Sequence, residues 1–167
     1  FKWVRATPRD RMLTRENRIE EFEKLKKLGV AGIKIDFFLS DKQSMMEYYL
    51  DILEDAAKYE IMIYFHGCLV PRGWARTYPH LMTYEGIRGA EWYNNGPEFT
   101  TTAPEHNATV PFTRNVVGSM DYTPVTFTNS QYPHLTSYGH ELALSVVFES
   151  GIQHMADRPE GYYELPD

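Results

Sequence analysis

The sequence predicts an α/β fold built on a parallel sheet, and three observations carry that reading. A helix-spaced apolar stripe runs directly into a short continuous apolar segment, a second helix and second apolar segment repeat the order, and glycine or serine marks the junctions. Strand, helix and strand in direct succession make parallel neighbours joined by a right-handed crossover. At 167 residues the chain is well short of the roughly 250 that a complete (β/α)8 barrel takes, so a barrel reading makes it a fragment.

Taken in order, Ile19, Phe22, Leu25 and Leu28 recur at helical spacing behind the polar segment 14–17, and Gly29 supplies the stop. Residues 30–38 are nearly all apolar, as in a strand buried on both faces. Ser40 with Gln43 has the spacing of a capping box, and Met45, Met46, Tyr49, Ile52, Leu53 and Ala56 form the stripe of a second helix. Residues 61–65 make the next strand. Further strands are expected near 89–92, 111–115 and 152–156, with a helix over 140–150 ending at Gly151. The Thr-rich stretch 93–110, broken by proline and glycine, reads as a long loop over a site. No repeat or linker divides the chain.

Composition removes several functions. The net charge of −6 and the absence of a basic stripe argue against nucleic acid or an anionic membrane surface as partner. No apolar run reaches the length of a membrane span, and the opening residues do not form a signal peptide. Cys68 is the single cysteine, which excludes an internal disulfide framework and a cysteine-based metal cluster.

The chemistry-bearing residues fall at strand ends. Side chains alternate along a strand, so Lys34 and Asp36 share one face of 32–36 while Ile33 and Ile35 share the other. In a barrel the charged face points inward and Asp36 stands at the carboxyl end, where such barrels hold their active sites. A self-satisfied ion pair is the structural alternative, although two charges on a buried strand carry a desolvation cost that an apolar pair avoids. His66 ends the second strand in the same way. Glu85 and Glu91 follow in a weakly charged segment, and an acid beside Trp92 and Tyr93 is a candidate for the raised pKa of a general acid. Paired carboxylates, aromatic rings suited to stacking on sugars and no nucleotide-binding glycine motif point towards glycoside hydrolysis, a chemistry that the fold alone does not select.

The segments GIKIDFF at 32–38, DILEDAAKY at 51–59, FHG at 65–67, PRGWARTYPHLMTYEGIRGAEW at 71–92, PFTRNVVGSMDYTP at 111–124 and HELALSVVFESGIQHMAD at 140–157 resemble glycoside hydrolase family 97. The resemblance implies a bacterial, exported parent with its (β/α)8 barrel between an N-terminal β-sandwich and a C-terminal β-domain. This chain, residues 1–167, then corresponds to a piece of the barrel, about strands three to eight, without the flanking domains. Retaining members carry an aspartate nucleophile at the end of the fourth strand, matching Asp36; inverting members use a glutamate base after the histidine of the fifth strand, where this sequence has Gly67. The resemblance therefore implies a retaining, exo-acting α-galactosidase with Glu91 as acid/base, Lys34 and His66 on sugar hydroxyls, and one calcium held through Glu85 and Glu91. An α-glucosidase of the same family and a catalytically inactive sugar-binding domain are the competing readings. Arg114, Asn115 and Asp121 stand open between lining the site and bracing the structure.

Overall fold

The computed structural model describes residues 1–6, 12–129 and 131–165. The chain forms two compact units, Phe1–Gly86 and Ile87–Asp167, where the sequence shows no dividing linker.

The first unit has the expected alternation. Strand β1 (Lys2–Arg5) is followed by α1 (Arg15–Lys27), β2 (Gly32–Asp36), α2 (Gln43–Lys58), β3 (Met62–Phe65) and β4 (Leu81–Tyr84). The four strands pair in sequence order, all parallel. Their register places Val4 beside Ile35, Ile35 beside Phe65 and Phe65 beside Tyr84, so one sheet face is continuously apolar. Trp3, Lys34, Tyr64 and Thr83 follow one another on the opposite face. Two strands absent from the sequence reading, β1 and β4, complete this sheet. Both are only four residues long, which leaves their periodicity below what a single sequence reveals.

Helices α1 and α2 bring Phe22, Leu25, Tyr49, Ile52, Leu53 and Ala56 onto the apolar sheet face, all essentially inaccessible to water. Tyr49 stacks on Phe38 at 4.0 Å and meets Phe65 edge-on at 4.8 Å, fixing the loop after β2 against the second helix. Thr14 caps α1 by accepting from the Asn17 amide at 3.4 Å, and Gly29 takes the left-handed turn after it at φ +70°. The stripe of α1 departs from expectation, because Leu28 is exposed and Arg18 is buried. The Arg18 guanidinium donates to Asp55 Oδ2 at 2.9 Å and to the Met12 and Leu13 carbonyls at 3.3 and 3.0 Å, so the charge enters the core already paired. The Ser40 capping box does not form: Lys42 is the N-cap of α2, and Ser40 accepts from the Lys42 amide at 3.3 Å.

The second unit corrects the sequence reading most. Residues 93–110 are not a long loop but contain helix α3 (Pro97–Thr109), opened by proline in its first turn. Its buried residues are Phe99, Thr100, Ala103 and Asn107, a sparse and half-polar stripe that does not declare a helix in the sequence. Thr101 and Thr102 satisfy their hydroxyls within the helix, on the Glu98 carbonyl at 2.9 and 3.0 Å. The strands expected near 89–92 and 111–115 are short 3-10 turns, Ala90–Asn94, Val110–Phe112 and Asn115–Val117, and 152–156 has no regular structure. Helix α4 (Tyr138–Val147) begins and ends slightly earlier than expected, and α5 (Pro159–Tyr163) follows.

Tyr93, Phe99, Ala103, Met120, Tyr122, Leu144 and Phe148 form the core of this unit. Gly89 is obligatory there, since a Cβ would lie 2.2 Å from the Tyr122 carbonyl oxygen, itself bonded to the Ala90 amide at 2.9 Å. Glu141, 1% exposed on α4, accepts from the Thr136 hydroxyl at 2.6 Å and the Tyr93 hydroxyl at 3.2 Å.

Candidate active site

Consecutive parallel strands deliver their carboxyl ends side by side, and in the first unit those ends carry the chemistry. Arg5 closes β1 in register with Asp36, the last residue of β2; His66 and Glu85 come immediately after β3 and β4. Backbone bonds hold them there: the Ala6 amide donates to the Asp36 carbonyl at 2.6 Å, His66 to Ile35 at 2.9 Å and Glu85 to Phe65 at 2.8 Å. Three of the predicted residues, Asp36, His66 and Glu85, are thereby brought together. Lys34, two residues back on the same face, lays its ammonium 5.1 Å from the centre of the Tyr64 ring.

Asp36 is 7% exposed. Its Oδ1 accepts from the Phe37 amide at 2.7 Å, and its Oδ2 accepts from the Trp3 indole Nε1 at 3.1 Å and lies 3.5 Å from His66 Nδ1. Burial pushes this carboxyl up, but the hydrogen bond and charge of His66, the Trp3 N–H and the charge of Lys34 together outweigh it. The net effect holds Asp36 below the ordinary carboxylate value. A buried carboxylate kept ionised, with its lone pairs oriented by an amide and an indole, is suited to act as a nucleophile.

His66 is 2% exposed, with Nδ1 3.4 Å from Glu85 Oε2 as well as 3.5 Å from Asp36 Oδ2. One ring nitrogen thus spans two carboxylates and fixes their spacing. Glu85 Oε2 also accepts from the Gly67 amide at 2.6 Å, which ties the turn after β3 to the end of β4. Lys34 therefore contributes through charge and Trp3 through a direct bond.

Trp3 is the functional residue that the sequence reading missed. It is 46% exposed, meets Phe37 edge-on at 6.2 Å and has the Arg5 guanidinium 5.2 Å from its ring centre. Its available signal was its position two residues before the end of a strand adjacent to that of Asp36, a signal lost once β1 went unrecognised.

Glu91 belongs to the second unit, exposed on the 3-10 turn Ala90–Asn94, where the neighbouring Trp92 ring has the Arg88 guanidinium 4.5 Å from its centre. Glu85 and Glu91 both offer carboxylate oxygens, the hard donors that calcium takes, so the donor chemistry fits that ion. Arg114 and Asn115 turn to backbone work. Arg114 donates to the Gly118 and Ser119 carbonyls at 2.9 and 3.1 Å, while Asn115 donates to the Glu149 carbonyl at 2.9 Å and accepts from its amide at 2.8 Å. Asp121, fully buried, accepts from the Thr123 and His154 amides at 3.3 and 3.1 Å.

A parallel strand–helix repeat with acids, an imidazole and a lysine towards its carboxyl edge is the arrangement in which α/β barrels hold their sites. The family model for glycoside hydrolase 97 matches residues 3–87, and the chain belongs to that family. A probable retaining α-galactosidase from Streptomyces bingchenggensis is 43% identical over 92% of this chain and 23% of its own length. A retaining α-galactosidase from Bacteroides thetaiotaomicron is 34% identical over 84% of the chain and 22% of its own length. The chain thus spans somewhat under a quarter of these relatives. Among solved structures, a β-arabinopyranosidase superimposes with a TM-score of 0.91 at 31% identity, covering 98% of this chain and 29% of that one. The fold is accordingly part of a (β/α)8 barrel, with four strands in its sheet among the described residues rather than the six that strands three to eight would give.

Proposed function

We propose that the protein of which this chain is part is a retaining, exo-acting α-glycoside hydrolase whose substrates are α-galactosides. The observation that carries the reading is Asp36: an ionised, oriented carboxylate at a strand's carboxyl end, beside a bare Gly67. Both retaining relatives support it by name. The β-arabinopyranosidase supports the same sugar configuration, because a β-L-arabinopyranosyl ring is an α-D-galactopyranosyl ring without its C6 hydroxymethyl.

In the proposed reaction an Asp36 oxygen attacks the anomeric carbon as Glu91 gives its proton to the departing glycosidic oxygen. Glu91 then takes a proton from water, which displaces Asp36 and leaves the anomeric configuration unchanged. Lys34 and His66 hold sugar hydroxyls in this scheme, and His66 also keeps the Asp36 carboxylate in its working orientation. Glu85 and Glu91 are the residues here that would hold calcium, which when bound would supply fixed positive charge against the developing negative charge of the reaction. The parent is exported to the periplasm or beyond.

The test is turnover of aryl α-galactoside and α-glucoside by the parent enzyme and its Asp36→Ala variant, with azide added. Faster cleavage of the galactoside, its loss in the variant and recovery as β-galactosyl azide support the reading. Preference for the glucoside would replace the substrate class, and full activity of the variant would remove Asp36 from the mechanism.

A further inference from the structure

Gly67 follows His66 at the end of β3 with φ +49°, in the left-handed region. A Cβ built there would lie 2.5 Å from Asp36 Oδ1 and 2.6 Å from the Phe37 amide nitrogen, the two atoms joined in the hydrogen bond that orients the carboxylate. The backbone around position 67 has little freedom to retreat. Its N–H is committed to Glu85 Oε2 at 2.6 Å, and its carbonyl accepts from the Phe38 amide at 3.0 Å. Phe37, on the far side of the contact, is itself left-handed at φ +67°. The Asp36 side chain is the one partner that can swing away, whereas the Phe37 amide nitrogen and its Cα, which would lie 3.0 Å from that Cβ, are backbone and can yield only by shifting the chain that orients the carboxylate.

We propose that Gly67 is a positioning residue for Asp36, and that its missing side chain is what gives the nucleophile its place. The inference rests on the reading of Asp36 given above. Any side chain at 67 competes with the Asp36 carboxylate for one volume and breaks the bond from the Phe37 amide. Position 67 thus decides sterically whether the carboxylate on the β2 strand end can face the anomeric carbon.

Two effects of Gly67→Ala need separating: the left-handed backbone that alanine disfavours, and the contact with Asp36. Gly29 provides the control for the first, since its φ is +70° and nothing lies within 4 Å of a Cβ there. In the parent enzyme, Gly67→Ala is expected to lower kcat by about a hundredfold, the usual cost of misplacing a reacting group by an ångström, with KM changed by less than about threefold. Gly29→Ala keeps kcat. In an Asp36→Gly background rescued by azide the contact with the carboxylate is gone while that with the Phe37 backbone remains, so adding Gly67→Ala lowers the rescued rate by clearly less than the roughly hundredfold expected with Asp36 in place.

An equal loss in both backgrounds would show that Gly67 acts through the backbone alone and would overturn the inference while leaving Asp36 as nucleophile. Unchanged kcat in Gly67→Ala would overturn it as well. Failure of azide to rescue Asp36→Gly would instead remove the nucleophile reading, and the inference with it. Should Gly67→Ala fold poorly, thermal melting gives the same comparison. Partial recovery of the melting temperature on adding Asp36→Gly supports the steric contest, and no recovery refutes it.

Discussion

Replacing Trp3 by phenylalanine removes one donor from Asp36 while keeping an aromatic ring for Phe37 and Arg5. The indole N–H reaches Asp36 Oδ2 at 3.1 Å, and a hydrogen bond to a charged group contributes about 1.5–3 kcal/mol. Trp3 is 46% exposed, so water partly replaces the lost donor and the lower figure applies. That corresponds to roughly a tenfold change in the balance between carboxylate and acid. The donor favours the charged form, so its loss moves the Asp36 titration upward, against the present depression. In a retaining glycosidase the nucleophile must be ionised, and its titration sets the acid limb of the kcat/KM profile. The limb of Trp3→Phe should therefore move to higher pH, with activity on its acid side falling about tenfold and the plateau changing little. The assay is hydrolysis of an aryl α-galactoside by the parent enzyme across the acid range. A loss that is the same at every pH, or an acid limb that stays in place, would refute the assignment of Trp3 to the charge state of Asp36.

Asp55→Ala strands the buried Arg18 guanidinium and should destabilise the fold by about 3–5 kcal/mol in urea unfolding, whereas Arg18→Met with Asp55→Leu should recover most of that; equal losses in both would point to packing instead. Glu141→Ala leaves the Tyr93 and Thr136 hydroxyls without their acceptor and should cost about 1–3 kcal/mol, read as an earlier melting transition. Asp157 accepts from the Phe127 and Thr128 amides, both at 2.7 Å, and from the Arg158 amide at 2.8 Å. Burial raises its pKa, but these bonds and the Thr128 hydroxyl outweigh that, and like Asp36 it titrates below its ordinary value. Both groups contribute stability above the unfolded-state value of about 3.9, lost as the pH falls through the lower folded values. Stability of Asp36→Asn and Asp157→Asn should accordingly depend less on pH in that acid window than stability of the parent, and unchanged slopes would contradict the bond pattern.

The legibility of the fold tracked how strongly each segment declared its period. The strands at 32–36 and 62–65 and the helices around them are readable because burial on the sheet's apolar face requires Ile33, Ile35, Ile63 and Phe65, with matching stripes on the helices. Helix α3 is not, because two of its four buried residues, Thr100 and Asn107, are polar and its run of threonines is a poor helix former. The expected strands at 89–92 and 111–115 failed for the opposite reason. Ala90 and Trp92 serve the core of the second unit from a 3-10 turn while Phe112 stands exposed, and a short apolar run does not reveal its backbone.

The sequence by itself determined the parallel α/β alternation, the face shared by Lys34 and Asp36, and the placing of Asp36 and His66 at strand ends, because side-chain alternation and helix periodicity are local properties. The tertiary structure decided what those residues meet. That Trp3 bonds to Asp36, that His66 stands between Asp36 and Glu85, that Arg18 enters the core already paired, and that position 67 has no room for a side chain all depend on register between strands distant in sequence. Register is set by the sum of many burial contacts rather than by any local pattern, so no single stretch of the chain carries it.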